Sequence, residues 1–270
     1  MSSTPPFPPY RDRYLPAMTP REIESLPDKA SAPVIIATGA IEQHGPHLPV
    51  AVDSFLGQVW VNLVTQRLPA GTSCYIAPPI TIGKSNEHVG FPGTLIISRD
   101  LLRLQLLTIA RQLHAGGFRT LAILNTHGGN TSVLTYTLRE IRAEFGMRAN
   151  FLRPSWSINV SAQEGTYGFH ANQFESAVML ALAGRYTQPA AAVCHYPGFI
   201  DEPGELRPEG SPATFSWASQ DLSPSGIMGD APAATLAQGI EWTETVADAF
   251  TAEVVRWATD PTRGASPDLY

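Results

Sequence analysis

Charge, cysteine and long apolar runs are all scarce in this chain. Only 16% of its 270 residues are Asp, Glu, Lys or Arg, and 18 basic side chains face 24 acidic ones for a net charge of −6. That balance leaves no basic excess to hold a phosphate backbone, so nucleic acid is not expected as a partner. The basic positions of Arg139-Glu140-Ile141-Arg142 read as a solvated helix face. No stretch approaches the ~20 consecutive apolar residues that span a bilayer, so no membrane partner is expected. Cys74 and Cys194 are the only cysteines. They are too few for a disulfide scaffold and too far apart for a CxxC unit. The N-terminal MSSTPPFPPYRDRY carries no apolar signal core, and with the cysteine count this predicts a cytoplasmic protein.

What is present narrows the class further. An apolar share of 43% excludes wholesale disorder, and the length suffices for one large α/β unit with a substantial core. Gly 22 and Pro 24 exceed average usage; ordered loops and disordered tails both account for them. The thin charge suggests a surface partly covered by other subunits, or a polar, uncharged exterior.

Short apolar runs predict strands at 33–38, 74–79, 119–124 and 149–153. Helices are predicted at 20–26, opened by the Thr19 cap with Pro20 behind it, and at 55–68, 100–115, 131–145, 173–182 and 233–258. In the 100–115 helix, Leu101, Leu104, Leu107 and Ile109 are available for a buried side. This alternation predicts an α/β fold, a mostly parallel sheet covered by helices. The boundaries are an extended N-terminal arm over 1–18, a single domain over 19–260 and a C-terminal tail over 261–270. The arm offers Phe7, Tyr10, Tyr14 and Leu15 for packing on the body or on a neighbour. The loop-rich stretch 186–231 is a candidate lid or oligomer contact.

In such folds ligands sit beyond the carboxyl ends of the strands, and two polar clusters begin there. Glu42-Gln43-His44-Gly45-Pro46-His47, with Asp53 following, holds the residue types that a divalent ion takes as N and O ligands. Asp53, on a returning loop, is positioned to bridge two ions; solvated acids and loop histidines are the plain alternative. Asn125-Thr126-His127-Gly128-Gly129-Asn130 adds a further imidazole, glycines that admit close backbone approach, and asparagines that brace the turn. No phosphate loop is present, since neither GKS nor GKT follows. His170 is a candidate acid/base. Glu175 lies in the first turns of a helix, where capping is the plain reading. Glu87-His88 is a weaker pair, suited to orienting a ligand histidine.

EQHGPHLP followed by Asp53, then NTHGGN, then FHANQFES, with SNEH and FPGT between, resembles the creatininase (creatinine amidohydrolase) superfamily over roughly residues 30–245. The resemblance implies a three-layer α/β/α sandwich, a single catalytic domain and a homohexamer or other homo-oligomer. It implies metal-dependent hydrolysis of a small molecule at a non-peptide C–N bond, in a cyclic amide or a formamide. It implies Glu42, His44, Asp53 and His127 as metal ligands with Asp53 bridging, Glu175 completing the site, and His170 moving a proton to the leaving group. Two divalent ions per subunit are expected, as zinc, manganese or iron(II). Glu42, Asp53 and His127 would hold one, His44, Asp53 and Glu175 the other, with a hydroxide between them attacking the carbonyl.

This chain departs from creatinine-cleaving members at two places. They carry Tyr and Glu directly after the histidine of the third motif, where Gly128 and Gly129 stand here. They also carry Trp four residues before the acid/base histidine, where Thr166 stands. Trp156 is available as an aromatic wall, and the two glycines are expected to leave room for a bulkier substrate. The HGGN form is shared with formamide deformylases and a peptide-trimming maturase. The alternatives are therefore a hydrolase of a lactone or cyclic ketone, or a peptidase. Outside enzymes, the alternative is a metal-binding scaffold protein. Arg99, Arg153 and Arg207 are candidates for recognising an acidic substrate.

Overall fold

A computed structural model of the chain describes residues 10–198 and 216–260. The expected C-terminal tail, Phe7 of the arm, Arg207 and much of the 186–231 stretch lie outside these residues.

Four parallel strands make the central sheet in the order β2-β1-β3-β4. They are β1 (Pro33–Thr38), β2 (Tyr75–Ile76), β3 (Thr120–Asn125) and β4 (Arg148–Phe151). β1 pairs β3 along its whole length, from Pro33 against Thr120 to Thr38 against Asn125. Both central strands are apolar along their middles, PVIIA and LAIL, because both faces are covered. Alternate residues serve opposite layers. Ile35, Ala37, Ala122 and Leu124 meet α2 (Val52–Arg67), α6 (Gln173–Ala183) and α8 (Leu236–Thr259) through Trp60, Val178, Trp242 and Val246. Val34, Ile36, Leu121 and Ile123 meet α3 (Arg99–Ala115) and α4 (Thr131–Phe145) through Leu102, Leu106, Leu134 and Ile141. The result is a three-layer α/β/α sandwich, as the alternation of elements predicted.

Local details differ from the sequence reading for physical reasons. β2 stops at Ile76 because Pro78 and Pro79 have no N–H to donate to a ladder. On α3, Leu101 and Leu104 are half exposed; the buried stripe is Leu102, Leu106 and Ala110, spaced four apart on one face. α8 starts at Leu236, three residues later than expected, under a capping box formed by Thr235 and Gln238. Between α4 and α8 lie short elements that border the site: α5 (Ala162–Tyr167), β5 (Cys194–His195), α7 (Ser219–Leu222) and β6 (Gly229–Asp230). β5 and β6 form a small antiparallel pair. The described part of the arm packs on the body, with Leu15 buried in one core layer and Tyr10 and Tyr14 against the other.

Candidate metal centre

The carboxyl ends of β1 and β3 are held side by side, the Thr38 hydroxyl donating to Asn125 Oδ1 at 2.9 Å. The loops that leave them carry most of the site. Gly39 permits the first of these loops: a side chain there would meet the Ser54 backbone at 2.7 Å, so only a hydrogen lets the strand end sit against α2. Asp53 is not on a loop, as the sequence reading had it, but in the first turn of α2. That helix begins at Val52 rather than 55. Its cap position is Ala51, whose side chain cannot accept a hydrogen bond, so nothing in the sequence marked the start.

Glu42, His44, Asp53, His127 and Glu175 converge. His127 Nδ1 lies 3.2 Å from Glu42 Oε1 and 3.3 Å from Asp53 Oδ2. His44 Nε2 lies 3.5 Å from Asp53 Oδ1 and 3.8 Å from Glu175 Oε1. Each Asp53 oxygen thus faces one histidine. The far nitrogen of each ring is engaged by backbone: His44 Nδ1 is 3.1 Å from the Glu42 carbonyl and His127 Nε2 3.1 Å from that of Lys84. Such bonds orient ligand histidines. Glu175 is not a cap: the Asn172 side chain accepts its backbone N–H at 3.1 Å, and its own carboxylate turns inward.

Burial opposes charge throughout this cluster, and close opposite charges outweigh it. Desolvation disfavours the Glu42 anion, but His127 and His88 beside it hold its carboxyl well below the usual range. Burial likewise disfavours charge on His44 and His127. Asp53 with Glu175 raises the former, and Glu42 with Asp53 raises the latter, well above the ordinary histidine value. His170 goes the other way: burial, His88 and His44 push it well down, so it is neutral. Four buried atoms of the converging residues, Glu42 Oε2, His44 Nε2, Asp53 Oδ2 and Glu175 Oε2, have no hydrogen-bond partner. Buried polar atoms are ordinarily satisfied, and this N/O donor set is what a borderline divalent ion takes. The residues therefore fit a metal centre. Triads within ligating reach of one another include Glu42-Asp53-His127 and His44-His170-Glu175.

The remaining predicted residues fall around this centre. His88 is more central than the sequence suggested, buried with Nε2 3.2 Å from Glu42 Oε1 and its ring stacked on His170 at 4.2 Å. Glu87 Oε1 is 3.6 Å from His127 Nε2. Asn125 donates to the His127 carbonyl at 2.7 Å, and Asn130 to that of Gly39 at 3.0 Å, so both brace the turn. Gly128 lines a cavity of about 240 Å³ with Asn125, Thr126, Phe169 and the acidic and imidazole groups. Gly129 does not open space. A side chain there would meet Glu87 Oε1 at 2.1 Å, the Lys84 carbonyl at 2.4 Å and His127 Nε2 at 2.5 Å. The expected room beside it is already filled by neighbouring residues. Trp156 lies against Phe250, ring centroids 5.8 Å apart, and is not among the residues lining the cavity. Arg99 pairs with Asp100 at the surface. Arg153 joins Arg139 and Arg142 in a separate depression of about 460 Å³ at the β4 edge, lined by no histidine or carboxylate.

Three contributors escaped the sequence reading. Gln43 links His88, His170 and Gly226. His47 is buried with Nε2 2.7 Å from Ser176 Oγ, and burial with His44 nearby pushes it down to about 4. Glu164 is a buried carboxylate that accepts from Gln173 N–H, Tyr196 O–H and Asp230 N–H at 2.8–2.9 Å, tying α5, α6 and β6 around the His170 loop. Gln43 and His47 stood inside a quoted motif, but Gln43, like Glu164, acts through partners remote in sequence. Ala171, between His170 and Asn172, takes φ +50. That conformation costs a non-glycine residue about 1–3 kcal/mol and recurs at functional sites.

Comparison with known proteins agrees with this geometry. A mycofactocin precursor peptide peptidase of Mycobacterium ulcerans (strain Agy99) is 32% identical over 237 residues, 84% of this chain and 86% of that protein. A 3-dehydro-scyllo-inosose hydrolase of Thermotoga maritima (strain ATCC 43589 / DSM 3109 / JCM 10099 / NBRC 100826 / MSB8) is 26% identical over 209 residues, 72% of this chain and 65% of that one. The solved structure of a creatinine amidohydrolase (creatininase) superposes with a TM-score of 0.67 at 22% identity, covering 94% of this chain and 98% of the other. The family model described as Creatinine amidohydrolase matches residues 16–254. The chain belongs to the creatininase family, whose fold and homology place it among the metal-dependent hydrolases.

Proposed function

We propose that this protein is a metal-dependent peptidase that hydrolyses an amide bond in a peptide substrate. The observation that carries this is the 32% identity across 84% of the chain to a protein named as a precursor peptide peptidase. The match to a Pseudomonas putida creatinine amidohydrolase spans 61% of the chain at 28%. The site supports the choice, because Trp156 packs on Phe250 rather than walling the cavity around a small ring. This reading replaces the expected non-peptide C–N bond with the peptidase alternative.

In this reading Glu42, Asp53 and His127 would hold one divalent ion, and His44 and Glu175 together with Asp53 would hold a second. Zinc, manganese and iron(II) all suit the set. A bound ion supplies Lewis acidity, polarising a carbonyl and lowering the pKa of water. The protein's own residues do the rest. His170 starts neutral, with Nδ1 3.7 Å from Glu42 Oε1. It takes the proton released as water attacks the carbonyl and gives it to the departing nitrogen. His88 and Glu87 hold Glu42 and His127 in place. Phe169 offers an apolar wall to the substrate.

The test is turnover by metal-analysed protein across peptides, formamides, cyclic amides including creatinine, and cyclic ketones, read by mass spectrometry. Cleavage of peptides is expected. Turnover confined to creatinine or formamides overturns the reading, and turnover of a cyclic ketone moves the protein toward the Thermotoga maritima relative.

A further inference from the structure

His88 and His170 are stacked, yet they present opposite functions to the same carboxylate, and Gln43 is the residue placed to decide which does what. Its amide has one orientation. Gln43 Oε1 accepts the Gly45 N–H at 2.8 Å, and Nε2 faces the Gly226 carbonyl at 3.0 Å. A carbonyl only accepts, so Nε2 is the donating end. It has two hydrogens and three neighbours: Gly226 O, His88 Nδ1 at 2.9 Å and His170 Nε2 at 3.0 Å. His170 Nε2 also lies 2.8 Å from the Gln43 backbone oxygen, which again only accepts. His170 therefore carries its hydrogen on Nε2 and donates it there. The second amide hydrogen has His88 Nδ1 as its remaining acceptor; a protonated Nδ1 donating to Ser219 Oγ at 2.8 Å would strand that buried hydrogen, so the arrangement that satisfies every donor leaves Nδ1 bare.

The consequences appear at the other end of each ring. A neutral imidazole carries one hydrogen. His88 therefore has it on Nε2, where it points at Glu42 Oε1, 3.2 Å away. His170 has a bare Nδ1, 3.7 Å from the same oxygen. We infer that Gln43 is a positioning residue that makes His88 the hydrogen-bond donor, and His170 the proton acceptor, of the metal centre. His88 is thereby removed from the Glu42-His88-His170 group as a metal ligand, because ligation needs a bare nitrogen. Ser219, whose Oγ is 2.8 Å from His88 Nδ1, and Gly226 bring α7 and the segment after it into the same arrangement.

The inference rests on the proposed role of His170, but its test does not need turnover. Long-range proton–nitrogen correlation spectra of metal-free protein labelled with ¹⁵N-histidine, at mildly alkaline pH, separate protonated from bare ring nitrogens. The wild-type spectrum should show a protonated Nε2 and a bare Nδ1 for both His88 and His170. Gln43→Glu keeps the acceptor for Gly45 and removes the donor, so the bare Nδ1 signal of His88 should be lost. Ser219→Ala should leave that signal in place. In metal-loaded protein Gln43→Glu should lower kcat by about 10²-fold or more with metal content retained. A bare Nε2 on either wild-type ring overturns the inference, whether or not the variant folds. So does a His88 signal that persists in Gln43→Glu or vanishes in Ser219→Ala. The expected spectra without peptide cleavage would overturn the peptidase reading and leave this one standing.

Discussion

Replacing Gly129 with alanine separates two accounts of the HGGN motif. If the glycines leave an open pocket, a methyl group is harmless. The structure says otherwise: the new Cβ would lie 2.1 Å from Glu87 Oε1, 2.4 Å from the Lys84 carbonyl and 2.5 Å from His127 Nε2. Glu87 is flexible and can swing away. The Lys84 carbonyl is backbone, and the His127 ring is held by that same carbonyl and by Ser85 Oγ at 3.3 Å. Two of the three clashes thus have no cheap relief. Overpacking of this kind costs ~1–3 kcal/mol, which for a domain of this size lowers Tm by roughly 2–12 °C. The displaced atoms are those that orient His127, so metal affinity should also fall about 10–100-fold. Gly184→Ala is the control, since nothing lies within 4 Å of its added methyl and its backbone is helical. Thermal denaturation and metal titration of both variants decide the matter. A Gly129→Ala protein with the Tm and metal content of Gly184→Ala would refute the steric argument.

Other consequences are equally measurable. His170→Ala should cost ~10²–10⁴-fold in kcat while metal content, measured by elemental analysis, stays unchanged. In metal-free protein His44 and His127 have raised pKa values, so their contribution to stability is fully present below the ordinary histidine value of ~6.5 and is lost as pH rises through the raised values. Metal must displace those protons. Loaded protein should therefore show the opposite trend, losing metal and Tm on acidification; parallel melting curves for the two forms would contradict this. Glu164→Ala strands three donors and should cost about 3 kcal/mol in chemical denaturation, with His170 mispositioned even in the folded fraction. The family resemblance implies a homohexamer or other homo-oligomer, and Leu101 and Leu104 are half exposed on α3. Native mass by light scattering should exceed one subunit, and a monomer would refute that expectation.

Much of this was legible in the residues, and for a local reason. Strands buried on both faces read as short apolar runs, as in PVIIAT, and the polar motifs begin where those runs end. Residue chemistry raised Glu42, His44, Asp53, His127 and His170 as candidates, the family resemblance added Glu175, and the fold brings them together. The class of sheet and the absence, among the described residues, of any helix long and apolar enough to cross a membrane also follow from composition and run length.

What stayed hidden depends on partners far apart in the chain. Asp53 reads as a loop residue because Ala51 carries no capping group. Leu101 and Leu104 look as apolar as Leu102 and Leu106; only packing against the sheet separates the two sides of α3. The glycine at 129 is set by Glu87 and Lys84, more than forty residues earlier. Gln43 gains its role from His170 and Gly226, 127 and 183 positions away. The donor chemistry of a candidate ligand is a property of its side chain and can be read in order. The direction of each proton, and the space beside each ligand, come from contacts that exist only once the chain has closed.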